Sequence, residues 1–532
     1  MRIPLFVFIF SIVVPAIGES QTLWYKNSDA PNYNDYVLNS ADAHTAVKPW
    51  YNNQFAGAPI KFKRRDTLGM LGKKELYDAD TLRHYEPGKV YTVLLQERGK
   101  LNVRPVYSAL AGVNQRGTTL QEFMLGAQFQ GQVNHKFGYN LNVAAGSAVF
   151  PTHQDSIAKQ ARVLPGWGDR VYRTGDGKLN WQHISGSVTW QPSKVFYLSA
   201  GRDKHFWGEG HRSLFISDVS APMTYLKQTT TIWKLQYTSL FTALKDYSAS
   251  PNFKGGFRNK WAAMHYISFN PTRWLNLSVF ESVIWQGTDN NRFRGFDPNY
   301  LNPIVFYRPV EYSLGSSDNV FLGFAAKLRI NRNNVLYGQI LLDEFYLKEI
   351  RAKAGWWANK YGIQIGFKSY NVFFVEHLHM QGEFNMIRPF TYSHGSVQQS
   401  YSHAGLPIAH PSGSNFAEVV GILAYDNKGF RVQGKLVVNV GGRDTSGLNY
   451  GNNVLLSYTT REFEYGNELF QGLTTTTIYM ESRLSYTIPK FRMVRFELTA
   501  AARREANAQY TKNQVFIIGG LHLPLWNSSR DF

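Results

Sequence analysis

From about residue 100 onward the chain repeats with a period of two, and this alternation limits the possible folds more than any other feature of the sequence. In EFMLGAQFQGQVN, Phe123, Leu125, Ala127, Phe129 and Val133 alternate with Gln128, Gln130, Gln132 and Asn134. In GFRVQGKLVVNV, Phe430, Val432, Leu436, Val438 and Val440 oppose Arg431, Gln433, Lys435 and Asn439. DNVFLGFAAKLRI sets Val320, Leu322, Phe324, Ala326, Leu328 and Ile330 against Lys327 and Arg329. TIYMESRLSYTI sets Ile478, Met480, Leu484 and Ile488 against Glu481, Arg483 and Ser485. Successive side chains of a strand point to opposite faces, so each segment carries one apolar and one polar face. Strands of roughly 9–11 residues are long enough to cross a bilayer at a tilt.

The first residues, MRIPLFVFIFSIVVPAIGES, read differently. Arg2 precedes the apolar run Ile3–Val14, and Ala16 and Gly18 are small residues where a signal peptidase cuts. Residues 1–18 are therefore expected to be a cleaved export signal. No later stretch approaches the roughly 18 apolar residues of a membrane helix. Mean hydropathy is only −0.32, yet aromatics make up 15% of the residues and cysteine is absent. An exported, aromatic-rich chain of low mean hydropathy fits a transmembrane β-barrel, which puts apolar side chains on lipid, polar ones in the lumen and aromatics at both rims. The net charge of +19 favours anionic partners. For an exported chain that means acidic glycan or lipopolysaccharide rather than nucleic acid.

Residues 19–100, rich in Asn, Asp, Lys and Pro, read as a short periplasmic extension, with one capped helical turn or two at DADTLRHYEP (78–87). Residues 101–532 are assigned to the barrel. Counting alternating segments yields about seventeen strands, and the connections offer a check on that number. Short turns are expected at Gln191–Lys194, Asn270–Arg273, Arg332–Asn334, Tyr370–Asn371, Asp426–Gly429 and Pro489–Arg492. Long loops are expected at 151–178, 287–317, 346–360, 386–414 and 443–474. The alternation of short and long breaks once, because both 202–228 and 245–260 are long. One more crossing in 202–228 restores it, as a missed strand or as a segment folded through the lumen, and the lumenal segment is the favoured reading. The predicted fold is thus an all-β, transmembrane antiparallel barrel of about 18 strands (roughly 16–18). Val515, Ile517, Leu521, Leu523 and Leu525 of the last strand are expected to face outward, and Phe532 resembles the terminal aromatic by which bacterial outer-membrane barrels are recognised for assembly.

The irregular stretch includes GRDKHFWGEGHR (201–212), dense in charge and glycine. It contains no serine elbow, metal-ligand spacing or phosphate loop. The structural reading makes Gly201, Arg202, Asp203, Trp207, Gly208, Glu209, Gly210, Arg212 and Ser217 a lumenal segment with its charges paired. The functional reading makes Trp207 a stacking surface, with Arg202, Lys204 and Arg212 as anion donors. His377, His379, Gln381 and Glu383 share one strand face, where lumenal hydrogen bonding outweighs metal binding. Asp343 and Glu344 are adjacent on a strand and point apart, so they cannot act as an acid–base pair across one bond. His403 and His410 form no triad. No catalytic residue, metal or cofactor is predicted, and the chain does not read as an enzyme.

GRDKHFWGEGHRSLFISDVSAP resembles the G…WG-x-G…L-x-x-S segment of the Wzi-type capsule-assembly outer-membrane barrels, with Gly201, Trp207, Gly208, Gly210, Leu214 and Ser217 matching. Glu209 stands where that pattern usually has proline. FDPNYLNPIVFYRPVEYSLGSSDNVFLG, YGQILLDEF, GWWANKYGIQIG, RPFTYSH and AHPSGSNFAE resemble the Bacteroidota branch of the family, often labelled RemB-type gliding-motility proteins. The resemblance implies a barrel of about eighteen strands whose extracellular face anchors a surface polysaccharide. The periplasmic helical bundle of better-studied members does not carry over, since 19–100 lacks an amphipathic helix of that length.

The leading expectation is a non-enzymatic outer-membrane barrel that binds acidic surface glycan through its long loops. The candidate residues are Trp285, Arg292, Arg294, Tyr300, Arg308, Arg388, Tyr392 and Tyr401, with aromatic faces for sugar rings and arginine forks for carboxylates. Self-packing of these loops over the barrel mouth is the alternative. Two rival functions stand beside it: an accessory of gliding motility or adhesin secretion acting by protein contacts, and a porin.

Overall fold

A computed structural model describes residues 43–51, 91–95 and most of 99–532. It leaves out 134–135, 162, 168–170, 176, 248–257, 290–291, 302–317, 345, 446, 489–493 and 524–529, and of 1–42, 52–90 and 96–98 it keeps only three two-residue strands. The expected signal peptide, the helical turn at 78–87 and Arg308 lie outside the described residues.

Eighteen antiparallel strands close into one barrel. In chain order the first nine are β1 (Gly99–Asn114), β2 (Thr119–Val133), β3 (Phe137–Val149), β4 (Leu179–Trp190), β5 (Phe196–Asp203), β6 (Met223–Ile232), β7 (Leu235–Asp246), β8 (Arg258–Phe269) and β9 (Leu275–Gln286). The second nine are β10 (Asn319–Arg329), β11 (Asn334–Glu344), β12 (Lys360–Tyr370), β13 (Leu378–Ile387), β14 (Phe416–Asn427), β15 (Phe430–Arg443), β16 (Leu473–Thr487), β17 (Arg495–Ala506) and β18 (Thr511–Leu523). Each pairs with the next, and β18 returns to β1 over Phe516↔Asn114 to Leu523↔Tyr107. Below that register the same edge of β1 is taken by Tyr91–Leu95, which pairs with Gly99–Val103. Closure leaves no long strand edge unpaired, as a wall in hydrocarbon requires.

The alternation sorts as expected. Phe123, Leu125, Phe324, Val432, Leu436, Met480 and Leu484 lie exposed on the outer surface. Gln128, Gln130, Lys327, Gln433, Lys435, Glu481 and Arg483 are buried inside. Boundaries of the long loops agree with the sequence reading to within a residue or two. The turn expected at Tyr370–Asn371 is longer and spans 371–377, closed by the His377 N–H donating to Asn371 Oδ1 at 2.9 Å.

The parity problem at 202–228 resolves in both of the proposed ways. A missed strand, β6, supplies the crossing, while 204–222 folds inside the barrel. β6 escapes the pattern because both of its faces mix apolar and polar residues. Thr224, Gln228 and Thr230 share the outward face with Leu226 and Ile232, whereas Met223 and Tyr225 are buried inside. Lys227 and Thr229 are buried on the same inner face, where Tyr225 meets His205 of the internal segment edge-on at 4.4 Å.

Residues 44–48 and the C-terminal Arg530 and Asp531 also enter the lumen. Val47–Lys48, within the stretch read as a periplasmic extension, pairs antiparallel with Phe206–Trp207. His44 Nδ1 sits 2.8 Å from Ser268 Oγ on β8, and Lys327 Nζ on β10 donates to Thr45 Oγ1 at 2.6 Å. At the other end, β18 stops at Leu523, and Arg530 and Asp531 are buried in the lumen. Phe532 follows them, outside the last strand. Leu525 lies outside the described residues; Leu523 is buried, next to His522, which turns to lumenal Ser108 at 3.0 Å.

Candidate functional site

The lumenal segment is built around one cation. Arg212 is buried, with Nε 3.1 Å from Glu418 Oε1 on β14 and Nη2 3.2 Å from Asp531 Oδ2 of the tail. Lys435 of β15 reaches the same Asp531 oxygen at 3.1 Å. Glu383 of β13 caps the backbone, accepting the N–H groups of His211 and Arg212 at 2.7 and 2.9 Å. A buried charge is costly unless it is paired and hydrogen-bonded, and this one is held by wall and tail together.

Glycines let the backbone come this close to the wall. A Cβ on Gly210 would stand 2.3 Å from Glu383 Oε2, and one on Gly208 2.7 Å from Gln339 Nε2. Glu209, at the proline position of the resembling pattern, lies 3.4 Å from Lys327 Nζ and accepts from Thr45 Oγ1. Lys48 Nζ donates to the Gly208 carbonyl at 2.7 Å. Trp207 meets Tyr266 and Phe280 edge-on at 5.6 and 6.0 Å, and Phe215 stacks on Phe280 at 4.5 Å. Arg202 Nη1 donates to the Ile184 carbonyl, Asp203 Oδ1 accepts the Lys204 N–H, and the Ser217 N–H donates to the Ile408 carbonyl. Trp207 is thus wholly buried and offers no stacking face.

Loops at the long-loop end close over this segment. Tyr392 Oη donates to the Leu214 carbonyl at 2.9 Å and Tyr401 Oη to the Phe215 carbonyl at 2.8 Å. The two rings stack 5.6 Å apart, and both side chains are 0% exposed. Lys360 Nζ holds their loop to the rim, 3.0 Å from Asp343 Oδ1 and 3.3 Å from the Ser393 carbonyl, while Asp343 Oδ2 accepts the Tyr392 N–H at 2.8 Å. Trp285 and Tyr300 pack on each other at 4.7 Å, also buried. Arg294 forms a two-pronged pair with Asp318 at 2.8 and 2.9 Å, and the same carboxylate takes Tyr300 Oη at 2.6 Å. Arg388 spends its donors on the carbonyls of Asn359 and Asn467. The Arg292 side chain is not among the described ones. Of the eight residues expected to meet glycan, the described six are thus used to pack the loops, and the four aromatic rings among them are fully buried.

A different pair of loops keeps aromatic surface outside. After β11 a short helix, α1 here for Leu347–Ala352, ends at Lys353 in the left-handed conformation. Residues 354–357 then zip onto 464–467. Gly466 N–H donates to the Ala354 carbonyl, Asn467 N–H to that of Gly355 and Trp357 N–H to that of Glu464, at 2.8, 2.8 and 3.1 Å. Glu464 Oε1 accepts both indole N–H groups, from Trp356 at 3.2 Å and Trp357 at 3.0 Å. Its Oε2 accepts Nε of Arg461 at 3.1 Å and also Nη2. Arg461 in turn lies 4.3 Å above the Trp357 ring, with Tyr458 against the same indole at 4.6 Å. The hydrogen bond from Arg461, with those of the two indoles, holds the Glu464 carboxyl below its ordinary range. Around this clamp Tyr346, Phe463 and Tyr465 are 54%, 49% and 51% exposed. The sequence reading did not single these residues out; adjacent Trp356 and Trp357 in a loop were the available signal.

Comparison with known proteins follows from this geometry. A family model described as capsule assembly protein Wzi matches residues 112–426, more than half of the chain. The fold is similar to that of Wzi from Escherichia coli, described as an outer membrane protein involved in group 1 capsule assembly and a carbohydrate-binding β-barrel. The two share 14% identity with a TM-score of 0.58, covering 94% of this chain and 99% of that one. Weaker likenesses are OprD of Pseudomonas aeruginosa (10% identity, TM-score 0.43, 83% of this chain and 99% of that one) and OccAB2 of Acinetobacter baumannii (13%, 0.41, 79% and 96%). Among curated proteins none matches.

Proposed function

The chain belongs to the Wzi capsule-assembly family of integral outer-membrane β-barrels, and from that premise we propose that it retains surface polysaccharide at the cell's outer face. The long-loop end is the extracellular end in this reading. Residues 1–18 direct export and are removed, and the lumenal residues 44–48 enter from the periplasmic side.

The observation that carries the proposal is the filling of the lumen. Segment 204–222 is tied to β13 and β14 by Glu383 and Glu418, to the tail by Asp531 and to the mouth by Tyr392 and Tyr401. A barrel of this size conducts only where its lumen is open, so the surface on offer to a polymer is the outer one. The carbohydrate binding described for the Escherichia coli relative supports the same direction. The test is the ratio of cell-attached to shed polysaccharide in a deletion strain against the complemented strain. A marked move into the shed fraction is expected; an unchanged ratio sinks the proposal. In planar bilayers the purified protein is expected to show little or no conductance, and a steady porin-like current would favour a solute channel instead.

A further inference from the structure

Resting on that reading, we infer that the Trp356–Trp357 ledge is a glycan-binding site that takes uncharged pyranose rings, recognising them by their faces rather than by carboxylate capture.

Charge balance is the first ground. The chain as a whole carries +19, which by itself suggests an acidic ligand. The ledge segments do not share that excess. Residues 346–359 and 456–468 carry Lys348, Arg351, Lys353 and Arg461 against Glu349, Glu462, Glu464 and Glu468, four of each sign. The arginine centred on the ledge is also engaged, since Arg461 binds Glu464 through two nitrogens and covers the Trp357 ring.

Saturation of Glu464 is the second ground. A carboxylate offers about four lone-pair sites, and Glu464 receives two indole N–H groups and two guanidinium N–H groups. It has no capacity left for sugar hydroxyls, so it is a positioning residue that fixes both indole planes. What remains for a ligand is preorganised aromatic surface: Trp356, partly exposed, with Tyr346 edge-on to it at 6.4 Å and Phe463 and Tyr465 nearby in sequence to the clamp. Rings held in place before binding lose little entropy when a sugar stacks on them, and a tyrosine hydroxyl supplies a polar edge.

The test uses the full-length barrel in detergent micelles and the polysaccharide extracted from the surface of the producing cells. The polymer is offered intact and after chemical reduction of its carboxyl groups to alcohols. Each form is titrated at low salt and at about 1 M salt, where the Debye length falls to about 3 Å. Binding is expected to survive both reduction and salt within about twofold. Trp356→Ala should weaken it about tenfold, equivalent to about 1.4 kcal/mol, with Trp356→Phe recovering part of the loss. Heat-modifiable migration on gels checks that each variant is folded. If binding disappears on carboxyl reduction or in salt while Trp356→Ala binds like the parent, the ledge inference falls and polysaccharide retention stands. If the parent protein binds neither form, the retention reading itself fails.

Discussion

Two regions of the barrel mouth have similar composition and opposite fates. Loop 388–415 and the ledge formed by 346–359 and 456–468 are both long and aromatic, with basic residues among the rings. In the first, Tyr392 and Tyr401 turn inward and give their hydroxyl protons to carbonyls of the lumenal segment. In the second, Glu464 gathers two indole N–H groups near the surface; Trp357 is buried against Phe390, while Trp356 stays partly exposed. The difference lies in where the polar atom of each ring finds its partner. A buried tyrosine or tryptophan needs one: the lumenal carbonyls draw one loop down, and an outer carboxylate keeps the other up.

Lys360 joins the two regions, so its loss is expected to have the largest effect. Its ammonium lies against Asp343 and the Ser393 carbonyl below, and 5.0 Å from the Tyr458 ring of the ledge. Lys360→Met leaves Asp343 buried without its cation, a change worth roughly 3–5 kcal/mol. A lowered urea midpoint should be accompanied by faster proteolysis of both loops; if only one loop becomes sensitive, they are not coupled through this residue.

Next in size is a contrast between two tyrosines. Tyr401→Ala removes a fully buried ring and its bond to the Phe215 carbonyl, at a cost of roughly 3 kcal/mol. Tyr346→Ala, on the exposed ledge, should stay within about 0.5 kcal/mol of the parent. Equal unfolding midpoints for the two variants would erase the distinction between inward and outward loops.

A further effect is expected from pH. Burial lowers His394 in the inward loop from 6.5 to about 4, with the charge of Lys360 adding to the shift and Glu344, Asp318 and Gln399 opposing it. The unfolded imidazole takes up a proton before the folded one, so this stability is complete above pH 6.5 and is lost as the pH falls toward 4, at no more than about 1.4 kcal/mol per pH unit. Glu464 has the depressed carboxylate, whose contribution persists above 4.5 and is lost only below it. Between these limits, hydrogen exchange should show 388–403 losing protection while 356–358 and 461–467 keep theirs. Simultaneous loss in both would mean that the ledge depends on the inward loop.

Much of the wall was legible before any coordinates. Phe123 and Leu125 face out and Gln128 and Gln130 face in because alternation is local and the solvent on each side of the wall differs. Loop ends were legible for the same reason, since they are where alternation stops. β6 was not, because its inner face packs on the internal segment, with Tyr225 against His205, and both of its faces mix apolar and polar residues. The strand at Val47–Lys48 was not either, because a two-residue pairing across more than 150 positions leaves no periodic mark.

The eight glycan candidates fall between these cases. Of the described candidates, Arg294, Tyr300, Arg388, Tyr392 and Tyr401 lie in long loops as read and Trp285 lies on β9, but exposure was not in the letters. Tyr392 meets the Leu214 carbonyl across 178 positions and Tyr401 meets that of Phe215 across 186. The sequence by itself settled most of the membrane-crossing wall, β6 excepted, and the facing of its alternating side chains. Only the tertiary structure decided which loop fills the mouth and which presents its rings outside, because that choice depends on hydrogen-bond partners brought together by closing the barrel.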